Sequence, residues 1–423
     1  MLRNSRRLAR YVKTIPIGVT VPAHLDTAEI ARRIDILRLF ACVLVVWIHS
    51  ANLGYQFTTT GLLPSGGAVL TVESFVAHGL ATIATPLFAV ISGYLLFKYS
   101  IQGAWTNWYP RVLLKRMRTI VLPYVIWSGF SLAILFLVML AFGDASVSEH
   151  LREKVASPAA ALRTLLVDPL PYQLWYLRNL LFLAVLSPFI SLALRRLGLL
   201  VPATAFFLWM AGVVPAAIRG DFLAFYLLGA FIAAKNVELS WKPRLPANIA
   251  AWVAWVGLTA LAVAQANSVE RFENLALRVA EVAGVLAIWW NFDALPARLQ
   301  RNLASLSYLS FFIFLAHQPL LAAVHKMLFT FVFSAAPASR LIEFFSAPTV
   351  DILLVGVGGY ALNRWSPGLF EFLTGGRGRV PRGTNPPIPP LDVSGSQAST
   401  ETRAAAAVPD GGQRGAGREG TVT

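Results

Sequence analysis

Along Asp35-Ile-Leu-Arg38-Leu-Phe-Ala-Cys42-Val-Leu-Val45-Val-Trp-Ile-His49, positions 35, 38, 42, 45 and 49 follow one another at intervals of three and four. That spacing puts them on one stripe of a helix. The eleven steps from Arg38 to His49 advance about 16 Å, so the guanidinium sits near one membrane surface and the imidazole in the far half of the bilayer. Arg38 alone reads as a snorkelling cation, and His49 alone as a hydrogen-bonded packing residue. The pair on one face reads as a route between the two sides, because an ionisable group within a span costs about 2.5 kcal/mol or more unless it has a partner or a task. A second histidine lies in Ser307-Tyr308-Leu-Ser-Phe-Phe-Ile-Phe314-Leu315-Ala-His317-Gln-Pro319. It falls at the same depth as His49. Pro319 has no N–H and frees the carbonyl of Leu315, one turn from His317. Two imidazoles at one level form either a structural pair or an acid/base site. Neither has a His-x3-His partner or a carboxylate cluster, so no metal centre is expected.

Other polar positions lie in or beside apolar runs. Ser92-Gly93-Tyr94 offers a small step that permits close helix packing. Arg111, Lys115, Arg116 and Arg118 precede Pro123-Tyr124; they read as a topology signal, or as a site for a phosphorylated ligand on the same side as Arg38. Leu174-Trp175-Tyr176-Leu177-Arg178-Asn179 reads as an interfacial aromatic belt with an arginine. Arg278 and Glu281, three apart, are expected to neutralise each other. Cys42 reads as a small packing residue rather than an acyl carrier.

The elements that must carry these residues are membrane helices. Of 423 residues, 56% are hydrophobic and 13% charged, against about 45–50% and 25% in a soluble chain. The formal charge is +15, but the cations sit in the gaps between apolar runs instead of on one face, so nucleic acid is not an expected partner. One cysteine excludes a disulfide framework and a Cys-based zinc site.

Ten stretches approach the roughly 20 apolar residues a spanning helix needs: 36–55, 76–97, 119–143, 175–194, 199–218, 222–234, 248–266, 275–290, 303–324 and 347–363. With the N-terminus inside, the inner segments hold 26 of the 36 Lys and Arg residues and the outer segments 7, as the positive-inside rule requires. The expectation is an all-α polytopic membrane protein with ten transmembrane helices and both termini cytoplasmic. Residues 1–33 form a basic N-terminal segment without the apolar stretch of a cleaved signal, so the first span acts as an uncleaved anchor. Residues 34–370 form the membrane domain, and residues 371–423, rich in Gly, Pro, Ser and Ala, a disordered cytoplasmic tail.

These motifs resemble the acyltransferase-3 family of integral-membrane acyltransferases. Its opening signature, an Arg followed after ten residues by a His with an Asp three before the Arg, is matched by Arg38, His49 and Asp35. Further matches follow in order: Pro86-Leu-Phe with Ser92-Gly93-Tyr94-Leu-Leu, the basic run before Pro123-Tyr124, Leu174-Trp175-Tyr176-Leu177 with Ser187-Pro188, and Ser307-Tyr308 through His317 and Pro319. Where the family often has Arg-x-x-Arg, this chain has Lys115 and Arg118. No SGNH-type hydrolase domain follows the spans, as in the stand-alone members, which hand the acyl group directly to the acceptor or use a separate periplasmic partner.

The resemblance implies an O-acyltransferase of the bacterial inner membrane. Acyl-CoA, acetyl-CoA above all, would be co-substrate with no bound cofactor, and a glycan or lipid-linked sugar would be acceptor. His49 is the expected general base and His317 its companion. Asp35, Arg38, Ser92, Lys115, Arg116, Arg118, Trp175 and Arg178 are the expected binding residues. The rival reading is a proton-coupled transporter or flippase, in which the same histidines relay protons and the arginines guide an anion.

Overall fold

The computed structural model describes residues 27–54, 67–99, 105–144, 147–213, 218–239, 243–265, 274–333 and 336–378. Its regular elements are helical. In chain order they are α1 (Thr27–Gly54), α2 (Ala68–Glu73), α3 (Ala84–Tyr99), α4 (Trp105–Arg116), α5 (Leu122–Phe142), α6 (Glu149–Glu153), α7 (Pro158–Leu166), α8 (Trp175–Val185) and α9 (Ser187–Leu197). There follow α10 (Leu200–Met210), α11 (Gly220–Ala234), α12 (Leu245–Gln265), α13 (Leu275–Trp290), α14 (Ala297–Leu306), α15 (Ser310–Phe331), α16 (Pro337–Trp365) and α17 (Pro367–Thr374). Short π or 3₁₀ turns join α2 to α3, α4 to α5, and α14 to α15, so each pair runs on as one long rod.

Six of these rods are long and apolar enough to cross a membrane: Ala28–Ala51, Ala68–Lys98, Thr106–Phe142, Leu245–Gln265, Ala297–Phe331 and Pro337–Trp365. A seventh forms if Tyr172–Val185 and Ser187–Leu197, bent by 64° from each other, count as one span. Pro188 at the start of α9 cannot donate into the preceding turn, which accounts for the break. The protein is therefore a polytopic membrane protein. The expected fifth, sixth and eighth spans correspond to α10, α11 and α13, of 11, 15 and 16 residues. These are shorter than the bilayer core requires of an upright helix.

The core is built around α1, α3, α11 and α15. The most extensive contact is between α3 and α11, and α1 packs on α3, α15 and α16. Two glycines set the first of these contacts. A Cβ on Gly93 would collide with the Tyr226 carbonyl, and one on Gly229 with the Val90 carbonyl. The reciprocal pair lets the two backbones touch, as the Ser92-Gly93 step suggested.

Both expected domain boundaries shift. Residues 27–33 already belong to α1, and Arg33 is buried with Nη2 donating to Asp293 Oδ1 at 2.5 Å. At the other end α17 is part of the core: Phe370 and Thr374 are fully buried, Trp127 Nε1 donates to the Leu373 carbonyl at 3.1 Å, and the compact unit runs to Gly378. The composition changes only after Gly375, close to the edge of the compact unit at Gly378, and the residues just before it stay in the fold because Phe370 and Leu373 have apolar surface to bury on α5 and α15. The remainder of the expected tail, 379–423, lies outside the described residues.

Candidate active site

The stripe on α1 is real, and its two ends meet different surroundings. At one end Asp35 is exposed and Arg38 half-buried. Between them and His49, Cys42 is buried and donates from Sγ to the Ser310 carbonyl at 2.8 Å, which fixes the register of α1 against α15. Seven residues further along both helices come His49 and His317. Their ring centroids are 5.4 Å apart and their planes inclined by 30°. The equal-depth expectation holds because the two helices run in parallel from a common pinned level.

The two imidazoles are differently equipped. His317 is fully buried, and its Nδ1–H donates to the Ile313 carbonyl at 3.1 Å. A carbonyl only accepts, so Nδ1 carries the proton and a neutral ring keeps its lone pair on Nε2. That Nε2 has no hydrogen-bond partner. His49 makes no hydrogen bond among the described residues and packs edge-on against Tyr172 at 5.8 Å. Tyr172 is 61% exposed, so the histidine pair lies one side chain below the surface at that end.

Tyr172 belongs to a short 3₁₀ turn, Tyr172–Leu174, that leads into α8. Its neighbour Gln173 is buried and donates from Nε2 to the Leu315 carbonyl at 3.3 Å. The carbonyl freed by Pro319 is therefore taken up by a side chain from another element. Neither Tyr172 nor Gln173 was singled out by the sequence; the glutamine signal was legible only as a polar residue preceding the aromatic run.

An aromatic layer separates the histidines from the arginine end. Phe314, 6.5 Å from His317, meets Phe88 at 6.1 Å and Tyr176 at 6.0 Å, and Tyr176 meets Phe222 at 5.2 Å. Tyr176, not the flagged Trp175, is the residue of that motif that enters the centre, where its hydroxyl shares a 2.8 Å hydrogen bond with Ser92 Oγ. Trp175 packs on Phe222 and beneath the Arg219 guanidinium, 5.4 Å away. Arg178 is drawn off to the Val167 carbonyl at 2.5 Å. It closes the end of α7 and does not face the histidines.

Below the aromatic layer the cations converge. Arg38, Arg116 and Arg377 lie within electrostatic reach of one another, and Arg116 within reach of Tyr176 and Tyr226. Arg377 follows α17, outside the spans. It donates to the Thr119 carbonyl at 2.8 Å and lies 3.7 Å over the Phe311 ring. Burial, and then the facing charges of Arg38 and Arg116, press its pKa below the ordinary arginine range. None of the three forms an ion pair among the described residues. The Tyr226 hydroxyl beside them is buried without a partner. Asp35 lies within electrostatic reach of Arg38 without pairing with it; crowded cations with no ion-paired carboxylate are a site for an anion, and guanidinium forks suit phosphate. Lys115 and Arg118 are exposed, although the Arg118 side chain borders Gly376. Arg377 was missed because it sits in a Gly-rich, tail-like stretch.

Arg278 uses its guanidinium to cap α10, donating to the Trp209 and Met210 carbonyls at 3.0 and 3.2 Å. With Arg219, Asp221 and Glu281 it lines a small polar pocket away from the histidines.

A model of the acyltransferase domain matches residues 32–362, most of the chain. The protein belongs to the acyltransferase-3 family. It is also 27% identical, over 380 residues, to the succinoglycan biosynthesis protein ExoH of Rhizobium meliloti (strain 1021), an alignment covering 85% of this chain and 96% of that one. No solved structure matches it. The family assignment supports acyltransferase activity and implies an acyl donor.

Proposed function

We propose that this membrane acyltransferase moves an acyl group, acetyl above all, from acyl-CoA to a hydroxyl of a glycan or lipid-linked saccharide. The observation that carries the reading is the polarity of α1: unpaired arginines gather at one end, and the paired histidines lie at the other. Arg38, Arg116 and Arg377 hold the donor's phosphates, with Asp35, Lys115 and Arg118 at the margin. The thioester arm passes the aromatic layer, where Ser92 and Tyr176 supply hydroxyls, and presents its carbonyl near the histidines. An alcohol is too weak an acid to attack at neutral pH, so a base must take its proton as the C–O bond forms. His49 takes that role, beside the surface at Tyr172, with the His317 ring packed against it at 5.4 Å. Trp175 and Arg178 act from outside the site, by packing on Phe222 and by holding the Val167 carbonyl.

The arginine end faces the cytoplasm in this reading, the fold crosses the bacterial inner membrane ten times with α10, α11 and α13 as tilted spans, and both termini are inside. The polysaccharide role of the ExoH relative supports an exported saccharide as acceptor, reached directly or through a separate periplasmic partner.

The test is release of free CoA from acetyl-CoA by the purified protein in detergent, with and without a bacterial polysaccharide repeat as acceptor. Acceptor-stimulated release is expected. A carrier would release none, and that result would replace the enzyme by a transporter.

A further inference from the structure

Beyond the histidine pair, a second buried polar cluster joins three helices near the same end of α1. Ser50, next to His49 in the chain, is 1% exposed, and its Oγ lies 3.1 Å from His325 Nε2. His325 Nδ1 in turn bonds the carboxylate of Glu343. His325 is on α15 and Glu343 on α16, and both are almost fully buried. One turn before Glu343 on α16, Arg340 is clamped by Glu73 through Nε and Nη2 at 3.1 and 3.3 Å, so the helix presenting the carboxylate is itself anchored.

The chemistry of this cluster follows from what each atom can donate. A carboxylate accepts only, so His325 Nδ1 carries a proton; in the neutral form of the ring Nε2 is then the acceptor for the Ser50 hydroxyl. Nucleophile, base and orienting carboxylate within hydrogen-bond reach form the arrangement by which a serine is activated for attack on a carbonyl. A purely structural knot would need only satisfied hydrogen bonds. This one also fixes the tautomer that a nucleophilic serine requires, in an enzyme whose donor carries a thioester.

We propose that Ser50 is an acyl relay, forming a covalent acyl-enzyme between donor and acceptor; the idea rests on the acyl-CoA reading above. Ser50 Oγ attacks the thioester carbonyl, and its proton passes to His325 Nε2. The C–S bond breaks, and the thiolate leaves with that proton as free CoA, while the acyl group remains as a serine ester. The acceptor hydroxyl then attacks the ester carbonyl and gives its proton to an imidazole. The ester C–O bond breaks, and Ser50 recovers the acceptor's proton from that same imidazole. Glu343 is a positioning residue throughout. The relay has a geometric reason. Ser50 stands twelve residues beyond Arg38, about 18 Å along the helix, and next to the histidine that touches surface-exposed Tyr172. Donor and acceptor can then arrive from opposite ends without meeting.

The experiment incubates the full-length protein with radiolabelled acetyl-CoA and no acceptor, quenches in acid, and maps the label by peptide mass. Label on the Ser50 peptide of the parent protein, absent from Ser50→Ala, is expected, together with parallel-line (ping-pong) initial-velocity patterns. Glu343→Gln, which keeps an acceptor for Nδ1–H, should fold to the parent's yield and label at least about a hundredfold more slowly. A parent that turns over acetyl-CoA with intersecting-line kinetics and an unlabelled Ser50 would overturn the relay and leave the acyltransferase reading standing. So would label on another residue, or a folded Ser50→Ala with undiminished turnover. A parent that releases no CoA at all would overturn both.

Discussion

Gln173 reaches from the turn before α8 to the Leu315 carbonyl, 3.3 Å away, the one backbone acceptor that Pro319 deprives of its helical donor. A buried acceptor left unmade costs about 1–3 kcal/mol. Gln173→Ala should therefore lower stability by about that amount in detergent. Pro319→Ala restores an N–H to Leu315 and should make a second Gln173→Ala change much milder. A double-mutant cycle of thermal unfolding checks this, and strictly additive effects would show that the two residues do not share the carbonyl.

Gly93 and Gly229 let α3 and α11 touch backbone to backbone. Gly93→Ala should push the helices apart and carry Ser92 away from Tyr176. The expected result is a fall in folded yield by size-exclusion chromatography, larger than that of Gly257→Ala, where a Cβ meets open space. Equal yields of the two variants would contradict the close approach.

The arginine trio should govern donor affinity more than the chemical step. Loss of one charged hydrogen bond costs about 1.5–3 kcal/mol, so Arg38→Ala, Arg116→Ala or Arg377→Ala should raise the donor KM by roughly tenfold or more with a smaller change in kcat. Added salt should weaken donor binding in the parent and less so in each variant. A donor KM unchanged in all three would remove the phosphate site.

His49 and His317 make separable contributions. General-base catalysis contributes about 10²–10⁴-fold, so His49→Ala should lower kcat by that order while donor binding and folded yield stay near the parent's. His317→Ala deletes the bond to Ile313 and a fully buried ring, so it should lower both yield and kcat. The reverse pattern, with His317→Ala abolishing turnover in well-folded protein and His49→Ala sparing it, would assign the base to α15.

The sequence alone determined the helical membrane class, because apolar runs of this length have no other solvent, and it determined the α1 stripe, because helix periodicity fixes which residues share a face. It also placed His317 at the depth of His49, since both helices advance by the same rise from aligned starts. What neighbouring helices bring could not be read along one chain. Arg377 joins Arg38 only because α17 folds back beneath α5. Tyr176 displaces Trp175 at the centre only because Gly93 and Gly229 let α3 and α11 close up around it. Arg178 turns to the Val167 carbonyl because the end of α7 lies within its reach. Ser50, His325 and Glu343 carry no mutual spacing that a sequence could display, since each comes from a different helix. Periodicity acts within a helix; the partners of a buried polar group are decided by which helices pack, and at what register.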